Sequence, residues 1–540
     1  MDSSVDNYVA ALLRGIGADP QRVVVRQPDG STMTAAELTD LVHRTAHVLR
    51  ERGVRQGSTV SILSGNRAEA QTTRYAANLL GARTVPLYED ATASTLAVIA
   101  AEVETDVLVT DPRHAPIAAR IAARVPVKTV LSFGPATTGA DLLALAATAP
   151  ATPVEPHPVR AEDIWSVRYT AGTAGRPKGI LMPFGPYTRI VTDPARPKAP
   201  GVMLVCTTLA HGAGLMADGA LYGGGSLVLH DGFDPVKVLA DIERRRGNSL
   251  WLLPRLVYQL TEQQASAPVD TSSLFAVIYG GTASSPARMA QAVREFGPVF
   301  LQIYGQTEAA LVSVLLPGDH ERPDLLGTAG RVMPGVEIRI VDANANELPS
   351  GESGEICVRA HTGAVSYLNN TELTAQVWRD GWVHTGDIGS LDGDGILRVN
   401  DRIKDMIKVA GAHVYPAEVE AALSRHPAIA DAAVFGVWNE DRTEQVHAAL
   451  VPQPGATIEL EAVRAHVTTQ MGARYTPSAI TILDAIPLTD AGKPNKRLLR
   501  DQVRRSSLAI PTPSLTPIRA GASSPNTGQK TMACRSGTQA

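Results

Sequence analysis

The sequence predicts a two-part α/β protein: a large N-terminal domain of several subdomains, closed by a β-rich section, and a small α+β domain after it. Three observations carry this. The chain has 540 residues, too many for one ordinary domain. Up to about residue 330, short apolar runs alternate with stretches of helical spacing, the pattern of largely parallel sheets covered by helices. Beyond that point alternating segments take over, and near residue 401 a second, shorter series of helix and strand signals starts.

Along the chain, Thr34 and Glu37 have the spacing of a capping box. Leu38, Leu41, Val42, Thr45, Val48 and Leu49 then recur at helical spacing, and Gly53 is placed to end that helix. Val60-Ser61-Ile62-Leu63 reads as a strand, a further helical stretch ends near Gly81, and Thr84-Val85-Pro86-Leu87 reads as the next strand. Val107–Val109, Thr129–Leu131, Leu227–Leu229 and Ala276–Ile278 are the remaining apolar strands of this part. In the β-rich section, Val336–Val341 alternates, Asp342–Gly351 is turn-like, and Glu355–Val358 is a short strand. In the small domain Pro416 opens a helix with Val419, Ala422 and Leu423 on one face, and Ala432–Phe435 and His447–Val451 read as strands. The segment from 506 to 540 is rich in Ser, Thr, Pro and Gly and is expected to be a disordered tail.

Composition excludes some functions. Lys plus Arg is 50 and Asp plus Glu is 54, a balance without the electrostatic footprint of a nucleic-acid or anionic-membrane binder. Cys206, Cys357 and Cys534 are far apart and odd in number, so neither a disulfide framework nor a clustered zinc site is expected, and a reducing cytoplasm is the simplest compartment. The N-terminus lacks the basic-then-apolar order of a signal peptide. The weakly charged stretch from Gly201 to Ala217 reads as buried protein, not as a membrane span.

The sharpest local signal is Tyr169-Thr170-Ala171-Gly172-Thr173-Ala174-Gly175-Arg176-Pro177-Lys178-Gly179. Gly172 and Gly175 let the backbone turn its N–H groups towards an anion, Thr170 and Thr173 add hydroxyl donors, and Lys178 adds a positive charge. The spacing differs from that of a Walker A loop. Composition alone serves equally for a polyphosphate cradle and for a surface turn. Three further groups follow in order: Tyr279-Gly280-Gly281-Thr282 with Tyr304-Gly305-Gln306-Thr307-Glu308, then His384-Thr385-Gly386-Asp387 with Asp401-Arg402-Ile403-Lys404, then Thr489-Asp490-Ala491-Gly492-Lys493.

Together these resemble the motifs of the adenylate-forming superfamily: acyl- and aryl-CoA synthetases, luciferases and peptide-synthetase adenylation domains. The resemblance covers roughly residues 10 to 503. The superfamily loop usually reads Tyr-Thr-Ser-Gly-Thr-Thr-Gly-x-Pro-Lys-Gly. Ala171 and Ala174 replace two hydroxyl donors in it, each worth about 0.5–1.5 kcal/mol if it served a phosphate. The resemblance implies that ATP and Mg²⁺ are bound. Tyr304 would stack on adenine, Thr307 would bind the α-phosphate and Glu308 would hold the ion, with Gly280, Gly281 and Thr282 lining the nucleotide site. Asp387 and Arg402 would take the ribose hydroxyls, and Asp401 stands where most members have Gly.

It further implies a hinge at residues 402–404, with Lys404 at its pivot, between a domain of residues 1–401 and a mobile domain of residues 405–505. Lys493 would enter from the small domain to join carboxylate and α-phosphate. Lys408-Val409-Ala410-Gly411-Ala412-His413-Val414-Tyr415-Pro416 matches the segment whose backbone, at Gly411, lines the acceptor channel. His211, Gly214 and Gln306 would lie at the acyl pocket, where frequent small residues permit a bulky or planar acid. The implied reaction converts a small-molecule carboxylic acid to an acyl-adenylate and passes the acyl group to coenzyme A. An amine, a separate carrier protein, or a non-catalytic scaffold role are the alternatives.

Overall fold

The computed structural model describes residues 4–170, 177–193, 201–360, 363, 365–409, 412–439, 443–489 and 492–508. Two large sheets organise the N-terminal part. In the first, Ala140–Asp141, Thr129–Ser132, Val107–Thr110, Thr59–Leu63, Arg83–Leu87 and Ile164–Thr170 run parallel, and Lys178–Pro183 and Ser366–Tyr367 extend the edge antiparallel. In the second, Val23–Arg26, Ser226–Leu229, Val202–Val205, Ser249–Leu252, Ala276–Gly280 and Phe300–Gln306 are parallel. Every strand expected from an apolar run is present.

The sheets are layered because helices between them are apolar on more than one side. A continuous core joins Val60, Ile62 and Val109 of the first sheet to Val25, Met203 and Leu227 of the second, through helices Tyr8–Ile16, Ala68–Leu79 and Gly212–Tyr222. Outer helices Ala93–Glu102 and Ala115–Ala122 cover the first sheet, and Pro235–Arg245, Pro254–Ser266 and Pro286–Phe296 cover the second. Local signals act as read. Thr34 and Glu37 form the capping box of helix Ala35–Glu51, with Thr34 N–H donating to Glu37 Oε2 at 2.7 Å and Glu37 N–H to Thr34 Oγ1 at 3.2 Å. Gly53 follows the helix end with φ +85°.

The β-rich section is an extension of the second sheet, not a separate layer. After Phe300–Gln306 the direction reverses, and Ala310–Leu315, Gly330–Val332, Ile396–Arg402, Trp382–Leu391, Gly354–Arg359 and Glu337–Val341 follow antiparallel.

The small domain packs helices Pro416–Leu423 and Leu460–Met471 on strands Ile429–Trp438, Glu444–Pro452 and Ala479–Ile482, around Val419, Leu423, Val434, Leu450, Val463 and Val467. Its last helix, Lys496–Leu508, continues three residues past the tail boundary expected at 506. The rest of the expected tail, from 509, lies outside the described residues. Among the described residues no helix is long and apolar enough to cross a membrane.

Candidate active site

The carboxyl ends of the parallel strands converge, the place where open α/β sheets bind ligands. Tyr304, Thr307 and Glu308 follow or end strand Phe300–Gln306, and Gly280 ends strand Ala276–Gly280 beside it. A Cβ on Gly280 would lie 2.3 Å from the Ile303 carbonyl oxygen, so only glycine lets these two backbones approach. Gly281 takes φ +84° and turns the chain towards Thr282.

Asp387 and Arg402 are direct cross-strand partners on Trp382–Leu391 and Ile396–Arg402. Arg402 Nε lies 3.0 Å from Asp387 Oδ1. Asp387 Oδ2 accepts from Tyr304 OH at 2.8 Å and from Gln306 Nε2 at 2.5 Å. The Gln306 amide, expected at the acyl pocket, therefore turns to the buried Asp387 carboxylate and to the Thr385 carbonyl at 3.1 Å. The reason is the strand pairing, which brings Trp382–Leu391 close enough to claim the amide.

The strand carrying Asp387 is braced from behind. Glu355 accepts from Gly386 N–H at 3.1 Å and contacts His384 Nδ1 at 2.9 Å, and Cys357 Sγ lies 3.3 Å from the same nitrogen. Sequence distance hides this Glu–Cys–His cluster, which the cross-strand register assembles.

Thr170 and Lys178 are Cα partners where strands Ile164–Thr170 and Lys178–Pro183 meet, at the two ends of the glycine-rich loop. Gly172, Thr173 and Gly175 lie outside the described residues, as does Gly411. Lys178 Nζ sits 5.5 Å from the Tyr367 ring centroid, and Tyr367 OH donates to Glu308 Oε1 at 2.7 Å. Tyr367 thus ties the loop's lysine to the expected metal carboxylate. A single tyrosine in a two-residue edge strand carries no sequence signal of this.

The small domain supplies Lys493. Its loop is closed by Thr489 N–H donating to the Lys493 carbonyl at 2.7 Å, and Gly492 packs so near Leu253 that a Cβ there would lie 2.6 Å from it. Loss of water around the ammonium, and then the Arg402 guanidinium, push Lys493 down from 10.5 to about 8, against the pull of Asp387 and Glu308. Asp401 has a structural reason: its carboxylate accepts at 2.8 Å from Ala417 N–H, in the first turn of helix Pro416–Leu423. Lys404 follows in an exposed turn, and Asp405 lies 3.4 Å from Arg500 of the last helix.

His211 stacks on Tyr88, with centroids 4.1 Å apart and planes 17° apart. Burial, then Arg168 and then Lys493, hold it down at about 4, so it is a neutral imidazole at physiological pH. Gly214 is buried in helix Gly212–Tyr222, where a Cβ would lie 2.1 Å from the Leu209 carbonyl oxygen. Its constraint is packing of the helix start against the preceding turn.

Comparison with known proteins shows the family. Residues 14–368 match the AMP-binding enzyme family and residues 418–493 match the AMP-binding enzyme C-terminal domain. A medium/long-chain-fatty-acid–CoA ligase of Mycobacterium tuberculosis is 32% identical over 87% of this chain and 85% of its own. A feruloyl-CoA synthase of Amycolatopsis is 33% identical over 91% of this chain and 99% of its own. Among solved structures, the amide bond synthetase of Marinactinospora thermotolerans superposes with a TM-score of 0.83 at 35% identity, covering 92% of this chain and 99% of that one. An anthranilate CoA ligase in complex with anthranoyl-AMP gives 0.85 at 25% identity, covering 94% and 99%. The chain belongs to the AMP-binding enzyme family of adenylate-forming enzymes and is an AMP-forming ligase.

Proposed function

We propose that this enzyme joins a small-molecule carboxylic acid to coenzyme A through an acyl-adenylate. The observation that carries the reading is the seat of Lys493: Gly492 beside it packs on Leu253 of the large domain, and the charges of Arg402, Asp387 and Glu308 act on its ammonium. In the first half-reaction a carboxylate oxygen attacks the α-phosphorus of ATP, and the bond to pyrophosphate breaks. Lys493 places a cation between the two anionic reactants and offsets the charge that grows on the phosphoryl oxygens. Asp387 and Arg402 hold the ribose, Tyr304 faces adenine, and Thr307 binds the α-phosphate. Thr170, Gly172, Thr173, Gly175 and Lys178 cradle the polyphosphate.

Glu308 fits Mg²⁺. It is an oxygen donor with one carboxylate oxygen fixed by Tyr367 and the other without a hydrogen-bond partner among the described residues. When bound, the ion neutralises phosphate charge. In the second half-reaction the small domain turns about Lys404 and withdraws Lys493. The backbone at Gly411 then lines the path along which the thiol reaches the acyl carbonyl, and AMP leaves. The cytoplasm, where ATP and a thiol acceptor are at hand, is the compartment proposed.

A second reading has its own support: the amide bond synthetase is 35% identical to this chain, against 25% for the anthranilate CoA ligase. In that reading an amine takes the place of the thiol. The test is carboxylate-dependent ATP–pyrophosphate exchange without acceptor over a panel of aliphatic and aromatic acids, followed by coenzyme A or amines added separately and product mass. Exchange with a thioester product supports the first reading. An amide product with no thioester supports the second. No exchange with any acid, despite ATP binding, contradicts both.

A further inference from the structure

Beside His211 lies a buried charged cluster that the nucleotide chemistry does not use. Asp218, fully buried in helix Gly212–Tyr222, accepts from Gln71 Nε2 at 2.8 Å, from Tyr75 OH at 2.6 Å, from Tyr187 OH at 2.5 Å and from Arg74 Nη2. Three of these bonds fall on Oδ1 and one on Oδ2. A second guanidinium, Arg168, belongs to the same cluster but pairs with no carboxylate among the described residues. Its hydrogen bonds run from Nη1 to the backbone carbonyls of Ala210, at 3.1 Å, and His211, at 3.5 Å.

Both arginines are more than nine-tenths buried, at 8% exposure for Arg74 and 7% for Arg168, and both lie over the Trp165 ring, at 5.7 and 5.5 Å. Among the described residues, Arg74 Nε and Nη1, Trp165 Nε1, Arg168 Nε and His211 Nε2 are all buried without a hydrogen-bond partner. Two guanidiniums and one carboxylate leave a net positive charge surrounded by unpartnered polar nitrogens. Burying an unpaired cation is costly unless an anion meets it. Burial depresses Arg168 from its ordinary value, in keeping with that missing partner.

The position of the cluster says which anion. Arg168 Nη1 donates to the backbone carbonyl of His211, whose ring stacks on Tyr88, so the cluster adjoins the residue expected at the acyl pocket. We propose that the acid activated by this enzyme carries a second anionic group, remote from the reacting carboxylate, and that Arg168 is the specificity-determining residue that holds it.

This rests on the adenylation reading, so the test separates binding from turnover. Terephthalate, benzoate and 4-carbamoylbenzoate, and the linear set adipate, hexanoate and adipic acid monoamide, are titrated calorimetrically near pH 7 with a non-hydrolysable ATP analogue present. The same acids are assayed for pyrophosphate exchange with ATP. In the wild type a diacid binds about tenfold to a hundredfold more tightly than its neutral amide, as a charge-assisted contact in a dry site predicts. Arg168→Met removes that preference while ATP binding, measured on the same sample, shows the fold is kept. Arg168→Lys, which retains the charge, keeps part of it. Diacids binding no better than amides in the wild type, a preference surviving in R168M, or equal loss of mono- and diacids in R168M would each overturn the proposal. A binding preference without exchange would instead leave it standing and count against adenylation.

Discussion

The ammonium of Lys493 sets the alkaline limit of the first half-reaction. Free lysine holds its proton to about 10.5, whereas burial and Arg402 bring Lys493 to about 8. Its charged form is therefore present below pH 8 and lost as pH rises through that value. For a step that needs the cation, kcat/KM for the acid in pyrophosphate exchange falls about tenfold between pH 7 and pH 9, because it reports the free enzyme. Bound ATP restores negative charge beside the ammonium, so the limit in kcat lies at higher pH. Two variants fix the assignment. Lys493→Arg keeps its proton throughout and loses the limit near pH 8. Asp387→Asn removes a carboxylate that supports the charge, and the limit moves to lower pH. A kcat/KM profile flat to pH 10, or an unchanged limit in K493R, would refute the role of the ammonium.

Three other perturbations have expected outcomes. Asp218→Asn leaves Arg74 with an uncompensated buried charge and should cost about 3–5 kcal/mol in a denaturant titration; a change under about 1 kcal/mol would mean the cluster is not a charged network. Gly214→Ala drives a methyl onto the Leu209 carbonyl and should destabilise the fold by about 1–3 kcal/mol, read as a lowered Tm; an unchanged Tm would show that the turn yields freely. Lys404→Pro, by fixing φ at the pivot, should slow transfer from a supplied acyl-adenylate more than it slows pyrophosphate exchange; equal effects on both steps would displace the hinge from this residue.

What is legible in the sequence is what rests on local chemistry. The Thr34–Glu37 box, Pro416 at a helix start and the apolar strands need only neighbours a few residues away, and each stands where the sequence places it. Asp387 with Arg402 is recognisable as part of a motif, although their contact is made by strand register. Gln306 is expected at the acyl pocket from the motif in which it stands. Only the pairing of distant strands shows that Asp387 takes its amide. The Asp218 cluster joins residues 31 to 147 positions apart, so periodicity is silent about it. One signal does exist: an arginine inside the apolar run Ile164-Trp165-Ser166-Val167-Arg168-Tyr169 is a charge the fold must bury, and buried arginines have reasons.

Adenylation itself is tested most directly by oxygen transfer. An acid that supports exchange is labelled with ¹⁸O in its carboxylate, turned over with ATP, Mg²⁺ and the acceptor, and the phosphorus-containing products are weighed by mass spectrometry. Attack of the carboxylate on the α-phosphorus, followed by acceptor attack at the carbonyl, leaves one ¹⁸O in AMP and none in pyrophosphate. Label in inorganic phosphate with ADP as co-product would mean attack at the γ-phosphorus. That would contradict the proposed roles of Lys493 and Thr307.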